Sequence, residues 1–276
     1  MEIKDKVFVV TGGGNGIGRE VVLGLLARGA RVAAVDLSST ALEETVSLAG
    51  PGSARLSMHP LSVSDREAVF ALPEQVVDTH GAVDGLINVA GIIQPFITIA
   101  ELGFEKMEQV MDVNFWGVVN TTKAFLPALL ERPSAAVVNV SSMGGFLPVP
   151  GQAVYGASKA AVKLFTEALW AESRGSSVAV TVVFPGGVAT NITVNSGVAI
   201  PAMATSGKAP KSTSAQDAGR QIIDGMERGA YRVRIGGDAR FMDRLSRLAP
   251  RAATEFIANQ MKQLLAPAAG PVRQDA

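Results

Sequence analysis

Short apolar runs alternate along this chain with longer stretches whose apolar positions recur every three to four residues. The short runs are Val7–Val10, Arg31–Val35, Ala54–Met58, Val83–Asn88, Ala135–Val140, Val178–Phe184 and Tyr231–Ile235. Runs that are apolar on both faces suit the middle of a parallel sheet covered on each side. Between them the periodicity predicts helices at Ile17–Arg28, Ala41–Ala49, Ser64–His80, Phe104–Arg132, through Tyr155 to Glu172, and Ala215–Arg228, the last capped by Ser214. Pro73 should kink or split the third helix and Pro127 should bend the fourth. Two further helices are expected at Ala239–Ala249 and Ala252–Leu265, before a disordered tail over 266–276. This alternation predicts an α/β, doubly wound, Rossmann-like fold. It reads as a single domain over 1–265, with about seven parallel strands and helices on both faces.

Composition narrows the function classes. A chain of 276 residues, 47% hydrophobic and 18% charged, can bury a large core. The formal net charge is zero, so nothing drives it toward nucleic acid. It has no cysteine, which removes disulfides and thiolate metal sites and agrees with a cytoplasmic location. Its two histidines, His59 and His80, are too few and too far apart in sequence for a histidine metal site, and His59 reads as a loop residue. The start reads directly into a strand without a signal peptide, and no apolar run is long enough for a membrane span.

The first strand runs into Thr11-Gly12-Gly13-Gly14-Asn15-Gly16-Ile17-Gly18 and then a helix. Glycines there let a pyrophosphate approach the backbone, and the helix N-terminus offers unpaired N–H groups to the anion. The second strand ends at Asp36, whose carboxylate can accept both ribose hydroxyls of NAD and would repel the 2′-phosphate of NADP. Leu37, next after Asp36, and Asn15, in the glycine turn, carry no charge that could hold a 2′-phosphate, and the nearest basic residue, Arg19, reads as solvent-exposed. NAD(H) is therefore the expected cofactor, with NADP(H) less favoured.

A second constellation lies at Tyr155-Gly156-Ala157-Ser158-Lys159. Four residues apart on a helix, Tyr155 and Lys159 project from one face. Free phenol and ammonium groups titrate near ~10 and ~10.4, and an ammonium beside the phenol would pull it toward the range of a general acid/base. Upstream, the strand Ala135–Val140 ends in Ser141-Ser142, and a hydroxyl there could hold a substrate oxygen beside the phenol.

Gly12, Gly16 and Gly18 in T-G-x-x-x-G-x-G spacing, together with a Ser, Tyr and Lys so arranged, resemble the short-chain dehydrogenase/reductase family. The resemblance selects Ser142 over Ser141, because the family's serine stands thirteen residues before its tyrosine. It implies that Asn114, in Asp112-Val113-Asn114-Phe115, holds a water that completes a proton relay from Lys159. It implies adenine contacts at Ser62 and Val63, although relatives carry Asp where Ser62 stands. It places Asn88, Ala90 and Gly91 beside the cofactor, with Val89 departing from the family's second Asn. Pro185-Gly186-Gly187-Val188-Ala189-Thr190 would close over the nicotinamide. Cofactor contacts from Asn15, Ile17, Leu37, Tyr155 and Lys159 complete that set.

The resemblance implies hydride transfer between NAD(H) and a secondary alcohol or ketone. The pocket residues Gln94, Ser142, Met143, Gln152, Tyr155 and Gly187 are mostly apolar or uncharged, so the substrate is expected to be apolar. The Gly-, Ser- and Thr-rich stretch 191–214 reads as a substrate lid. Relatives form dimers or tetramers through the helices bearing Asn114 and Tyr155, so a homodimer or homotetramer is expected. Near the C-terminus, Phe241, Leu245 and Leu248 should face one side, with Arg240, Arg244, Arg247 and Arg251 on another. That basic stripe could meet anionic lipid or an acidic partner, though a solvated helix face is the plainer reading. Two rivals stand beside the main reading: an NADP(H)-dependent carbonyl reductase of the same fold, and a non-catalytic NAD(H)-sensing scaffold.

Overall fold

The computed structural model describes residues 1–190, 192–198 and 212–261. Its elements in chain order begin with β1 Val7–Thr11, α1 Gly16–Ala27, β2 Arg31–Asp36, α2 Ser39–Ala49, β3 Leu56–Pro60, α3 Arg66–His80 and β4 Gly85–Asn88. Then come α4 Phe104–Met111, a π turn Asp112–Trp116, α5 Gly117–Leu130, β5 Ala135–Val140, α6 Ala153–Glu172 and β6 Val178–Pro185. The remainder is β7 Val188–Ala189, α7 Ile192–Asn195, β8 Thr213–Ser214, α8 Ala215–Glu227, β9 Arg232–Ile235, α9 Gly237–Leu248 and α10 Pro250–Met261.

Seven strands form one sheet in the order β3-β2-β1-β4-β5-β6-β9, and every neighbouring pair is parallel. Side chains alternate across a strand, and β1 shows the consequence. Phe8 and Val10 pack with Val22 and Leu25 of α1 and Ile222 of α8, whereas Val7 and Val9 pack with Leu72 of α3 and Phe125 of α5. The chain winds outward from β1 to β3, then returns to β4 and winds the other way. The reversal between β1 and β4 opens a crevice at the strand C-terminal ends, the place where open α/β sheets bind ligands. A third apolar cluster joins Leu147, in the loop after β5, to Met242 of α9 and Ile257 of α10.

Several expected boundaries shift for identifiable reasons. Strand β3 starts at Leu56 rather than Ala54, because Gly50–Arg55 form a 3-10 turn with Pro51 at its start. Pro73 lies inside an unbroken α3, held by its buried Val69, Leu72 and Val76. Pro127 likewise lies within α5, and the expected long helix from Phe104 is interrupted instead by the π turn at Asn114. His59 is not in a loop: it lies buried on β3. Its Nε2 and that of His80 stand 2.9 Å and 2.8 Å from the same Ser57 hydroxyl, so residues distant in sequence meet. Burial holds both imidazoles below their ordinary pKa. Among the described residues, no group of three or more His, Cys, Asp or Glu could hold a metal.

Helix α9 is rotated from the expected face. It buries Ala239, Met242 and Asp243, while Phe241 and Leu248 are 58% and 86% exposed. The reason is electrostatic: the Asp243 carboxylate sits inside because Arg234 and Arg247 both bond to it. Helix α10 buries Ala253 and Ile257 and leaves Phe256 exposed. Residues 262–265 of the expected last helix, the tail, Asn191 and 199–211 of the expected lid lie outside the described residues. Ser214 caps α8 as expected, its hydroxyl accepting the Asp217 N–H at 3.0 Å.

Candidate active site

The turn after β1 is shaped by backbone crowding. A Cβ at Gly18 would stand 1.9 Å from the Gly12 carbonyl oxygen, and one at Gly12 would stand 2.9 Å from the Ala90 nitrogen. Gly12 and Gly16 also take φ of +70° and +49°, which L side chains resist. Thr11 Oγ1 accepts the N–H groups of Val89 and Ala90 at 3.1 and 3.2 Å, tying the end of β1 to the loop after β4. Asn15 starts α1 in an extended conformation with no side-chain cap, so the first-turn N–H groups face the crevice uncapped. The Asp36 carboxylate accepts the N–H groups of Gly14 and Ser38 at 3.0 and 3.1 Å.

A cleft of about 660 Å³ opens over this turn. Of the residues expected to meet a cofactor, Gly12, Asn15, Gly16, Ile17 and Gly18 line it from the turn. Asp36 and Leu37 line it from β2, and Ser62 and Val63 from the loop after β3. Ala90 and Gly91 line it from the loop after β4, and Thr190 from the position just after β7. Asn88 does not. It is buried beneath, its Oδ1 accepting from Thr121 and its Nδ2 donating to Asn139 Oδ1 at 2.9 Å, so its amide fastens β4 to β5 and α5. Pro185, Gly186 and Val188 lie outside the cleft wall, and Val188 packs against the core. Sequence reading missed Lys106 and Gln109, which line the cleft from α4. Their helical spacing toward Val113 was the available signal.

Beyond Gly91 the second group assembles. Ser142 stands two residues past the end of β5, and its hydroxyl accepts the Gly144 N–H at 3.0 Å. The same hydroxyl favours the ionised form of the nearby Tyr155 phenol. Gly144 lies beside both: a Cβ there would stand 3.5 Å, ordinary contact distance, from Ser142 Oγ and from Tyr155 Cε1. Asn114 sits in the π turn, where an extra residue lets its side chain leave the regular helix face. Its Oδ1 accepts the Ile92 N–H at 2.8 Å, and its Nδ2 donates to the Ile92 carbonyl and to Ser158 Oγ. Lys159, 4% exposed, donates from Nζ to the Val140 carbonyl at 3.1 Å. A Cβ on Gly91 would stand 3.1 Å from both Asn114 Oδ1 and Lys159 Nζ. A glycine that lines the cleft thus separates it from the Asn–Lys pair.

Electrostatics here correct the expectation for the phenol. Burial pushes the Tyr155 pKa above its ordinary value, and the Ser142 hydrogen bond only partly offsets this. The Lys159 ammonium, held on the Val140 carbonyl, does not draw the phenol down in the protein alone. Burial lowers Lys159 itself to about 8.

Two residues expected in the substrate pocket do something else. Gln94 is fully buried, and its Oε1 accepts the N–H groups of Val154 and Tyr155 at 2.9 and 3.0 Å. It caps the first turn of α6, which has no side-chain cap of its own. Gln152, also buried, donates to the Gln94 carbonyl at 2.8 Å. The sequence signal was indirect: no Ser, Thr or Asp precedes Ala153 to cap that helix. Met143 packs beside the Leu147 cluster, and the Gly187 N–H is taken by Asp238.

A family model for short chain dehydrogenases matches residues 6–199. The chain belongs to the short-chain dehydrogenase/reductase family. It is an oxidoreductase of that family, with the family's sheet and flanking helices. SadH of Mycobacterium tuberculosis, a protein named as an oxidoreductase, is 38% identical over 256 residues, covering 88% of this chain and 90% of its own. The 3-oxoacyl-[acyl-carrier-protein] reductase FabG of Thermotoga maritima is 34% identical over 193 residues, covering 70% and 78%. Among solved structures, a short chain dehydrogenase from Burkholderia cenocepacia in complex with NADP has a TM-score of 0.77 at 28% identity, over 97% of this chain and 100% of its own. A Burkholderia phymatum member in complex with NAD has a TM-score of 0.78 over 90% and 96%; at 24% identity it supports the fold alone. Among the described residues of this family member, no helix is long and apolar enough to cross a membrane.

Proposed function

We propose that this chain is an NAD(H)-dependent oxidoreductase that interconverts a secondary alcohol and a ketone on a mostly apolar substrate. One observation carries the reading: Gly91, on the wall of the cleft, is also the residue against which Asn114 Oδ1 and Lys159 Nζ stand. A dinucleotide fits the residues present, because the crowded glycine turn leaves backbone N–H groups open to a pyrophosphate and Asp36 stands at the end of β2. Preference for NAD(H) over NADP(H) is supported by that carboxylate and by the state of Arg19. Its guanidinium is spent on Glu44, Thr45 and the Ala41 carbonyl, which corrects its reading as solvent-exposed. The NADP-bound neighbour keeps NADP(H) as the second reading.

When bound, the nicotinamide supplies or accepts the hydride at the substrate carbon. Tyr155 gives its proton to the developing alkoxide in reduction and takes it back in oxidation. Ser142 donates a hydrogen bond to the same oxygen. Lys159 holds the nicotinamide ribose and lowers the phenol's pKa, and Asn114 anchors the water that refills the relay. Met143 and Phe146, partly exposed near Ser142, would make the substrate wall apolar. Trp116 and Leu164, large and exposed on the π turn and α6, support a homodimer or homotetramer through those elements. A monomer in sedimentation would contradict that assembly.

The test pairs binding with turnover. NADH fluorescence should titrate with wild type and with Tyr155→Phe alike, while the variant loses about a thousandfold in turnover of apolar secondary alcohols or ketones. Full activity in Tyr155→Phe would refute the mechanism. Binding of NADH with turnover of no alcohol or ketone would favour the sensing scaffold.

A further inference from the structure

Asp238 lies in the first turn of α9, beyond the residues that match the family model and outside every role given above. Its Oδ2 accepts the Gly187 N–H at 2.7 Å, across 51 residues of chain. Glycines make room for this carboxylate on two sides. A Cβ at Gly186 would stand 2.2 Å from Asp238 Oδ1, and one at Gly236, 2.3 Å. Gly236 also takes φ +93°, which leaves the turn before α9 to glycine. An acidic residue in a first helical turn ordinarily serves the helix's own N-terminal amides. This one is spent on another element.

Both polar groups of Gly187 are fixed, its N–H by Asp238 and its carbonyl by the Thr213 N–H at 2.9 Å. The next residues are Val188–Ala189, paired in parallel with Thr213–Ser214, and then Thr190 on the cleft wall. Thr190 Cβ stands 3.5 Å from where a Cβ on Gly16 would be, so this segment closes on the glycine turn. The same helix α9 buries Met242 against Leu147, in the loop that follows Ser142. Helix α9 therefore touches both the segment that leads to the cofactor cleft and the apolar wall beside Ser142.

We propose that Asp238 is a positioning residue for cofactor binding: it fixes the Gly186–Gly187 turn and thereby sets Val188 against the core and Thr190 against the cleft. This rests on the dinucleotide reading above. The test compares Asp238→Ala with Asp238→Asn, whose amide oxygen still accepts a hydrogen bond. Fluorescence titration should show the NADH dissociation constant rising roughly three- to tenfold in Asp238→Ala and returning to within about twofold of wild type in Asp238→Asn. Melting temperatures should stay together, and the substrate KM should not move. Unchanged NADH affinity in Asp238→Ala overturns the proposal, as does an equal loss in both variants or a loss that tracks the melting temperature. A wild type that binds neither NADH nor NADPH overturns the dinucleotide reading instead.

Discussion

At the turn after β1, backbone packs on backbone. The Gly12 carbonyl and the Gly18 Cα leave no space for a side chain between them, and Thr11 locks the turn to the loop after β4. Around Tyr155 the contacts run through side-chain hydrogen bonds, and burial governs the charges. Lys159 faces the Val140 carbonyl rather than the phenol, and Tyr155 is pushed away from neutral pH by burial. One region is set by backbone packed on backbone, the other by side chains and their burial. The contrast shows where rigidity is needed: a pyrophosphate is recognised by fixed backbone donors, whereas an acid/base pair must change partners during each turnover.

The contrast breaks first at Gly18. Gly18→Ala should weaken NADH binding about a hundredfold, because its methyl group cannot coexist with the Gly12 carbonyl without moving the turn. An unchanged dissociation constant would mean that the turn is soft after all.

Lys159→Met probes the other side with the opposite sign for stability. An unfolded lysine keeps its proton to about 10.4, whereas burial brings Lys159 to about 8. Folding therefore favours proton release between those values. The cost of the buried charge is complete below pH 8 and fades as pH rises toward 10. After allowing for the lost bond to Val140, Lys159→Met should stabilise the cofactor-free protein on the order of 2 kcal/mol at pH 7 while removing most turnover. Urea unfolding across pH 7 to 10 checks it: wild type should gain on the variant as pH rises, and a constant gap would contradict the assignment.

A smaller effect sharpens the comparison at Gln94. Gln94→Ala should cost about 1 kcal/mol, as for loss of a helix cap. It should lower turnover through misplacement of Tyr155 while leaving NADH affinity as it was. Weakened NADH binding with normal turnover would show the cap serving the wrong region.

Much of this was legible in the chain, and what was missed has a common cause. Strand positions and the glycine turn follow from local pattern and spacing, which a linear sequence records, whereas the choice of Ser142 over Ser141 came from the family resemblance. Gln94 and Asn88 were read by position as lining a site, yet their amides are buried and spent on other elements, a fact decided by packing. The rotation of α9 was hidden because Asp243 counts as polar in any periodicity, although Arg234 on a separate strand neutralises it. The two histidines meet only because α3 ends beside β3. The π turn at Asn114 left no trace that helical propensity could separate from a continuous helix.

The most direct measurement is the ionisation of the Tyr155 phenol, read by ultraviolet difference titration of wild type against Tyr155→Phe, with and without saturating NAD. The chain has only two tyrosines, so the subtraction isolates one. The account predicts a midpoint above ~10 in the protein alone, falling below that value when the cofactor is bound. A midpoint already below the ordinary value without cofactor, or one that cofactor does not move, would contradict it.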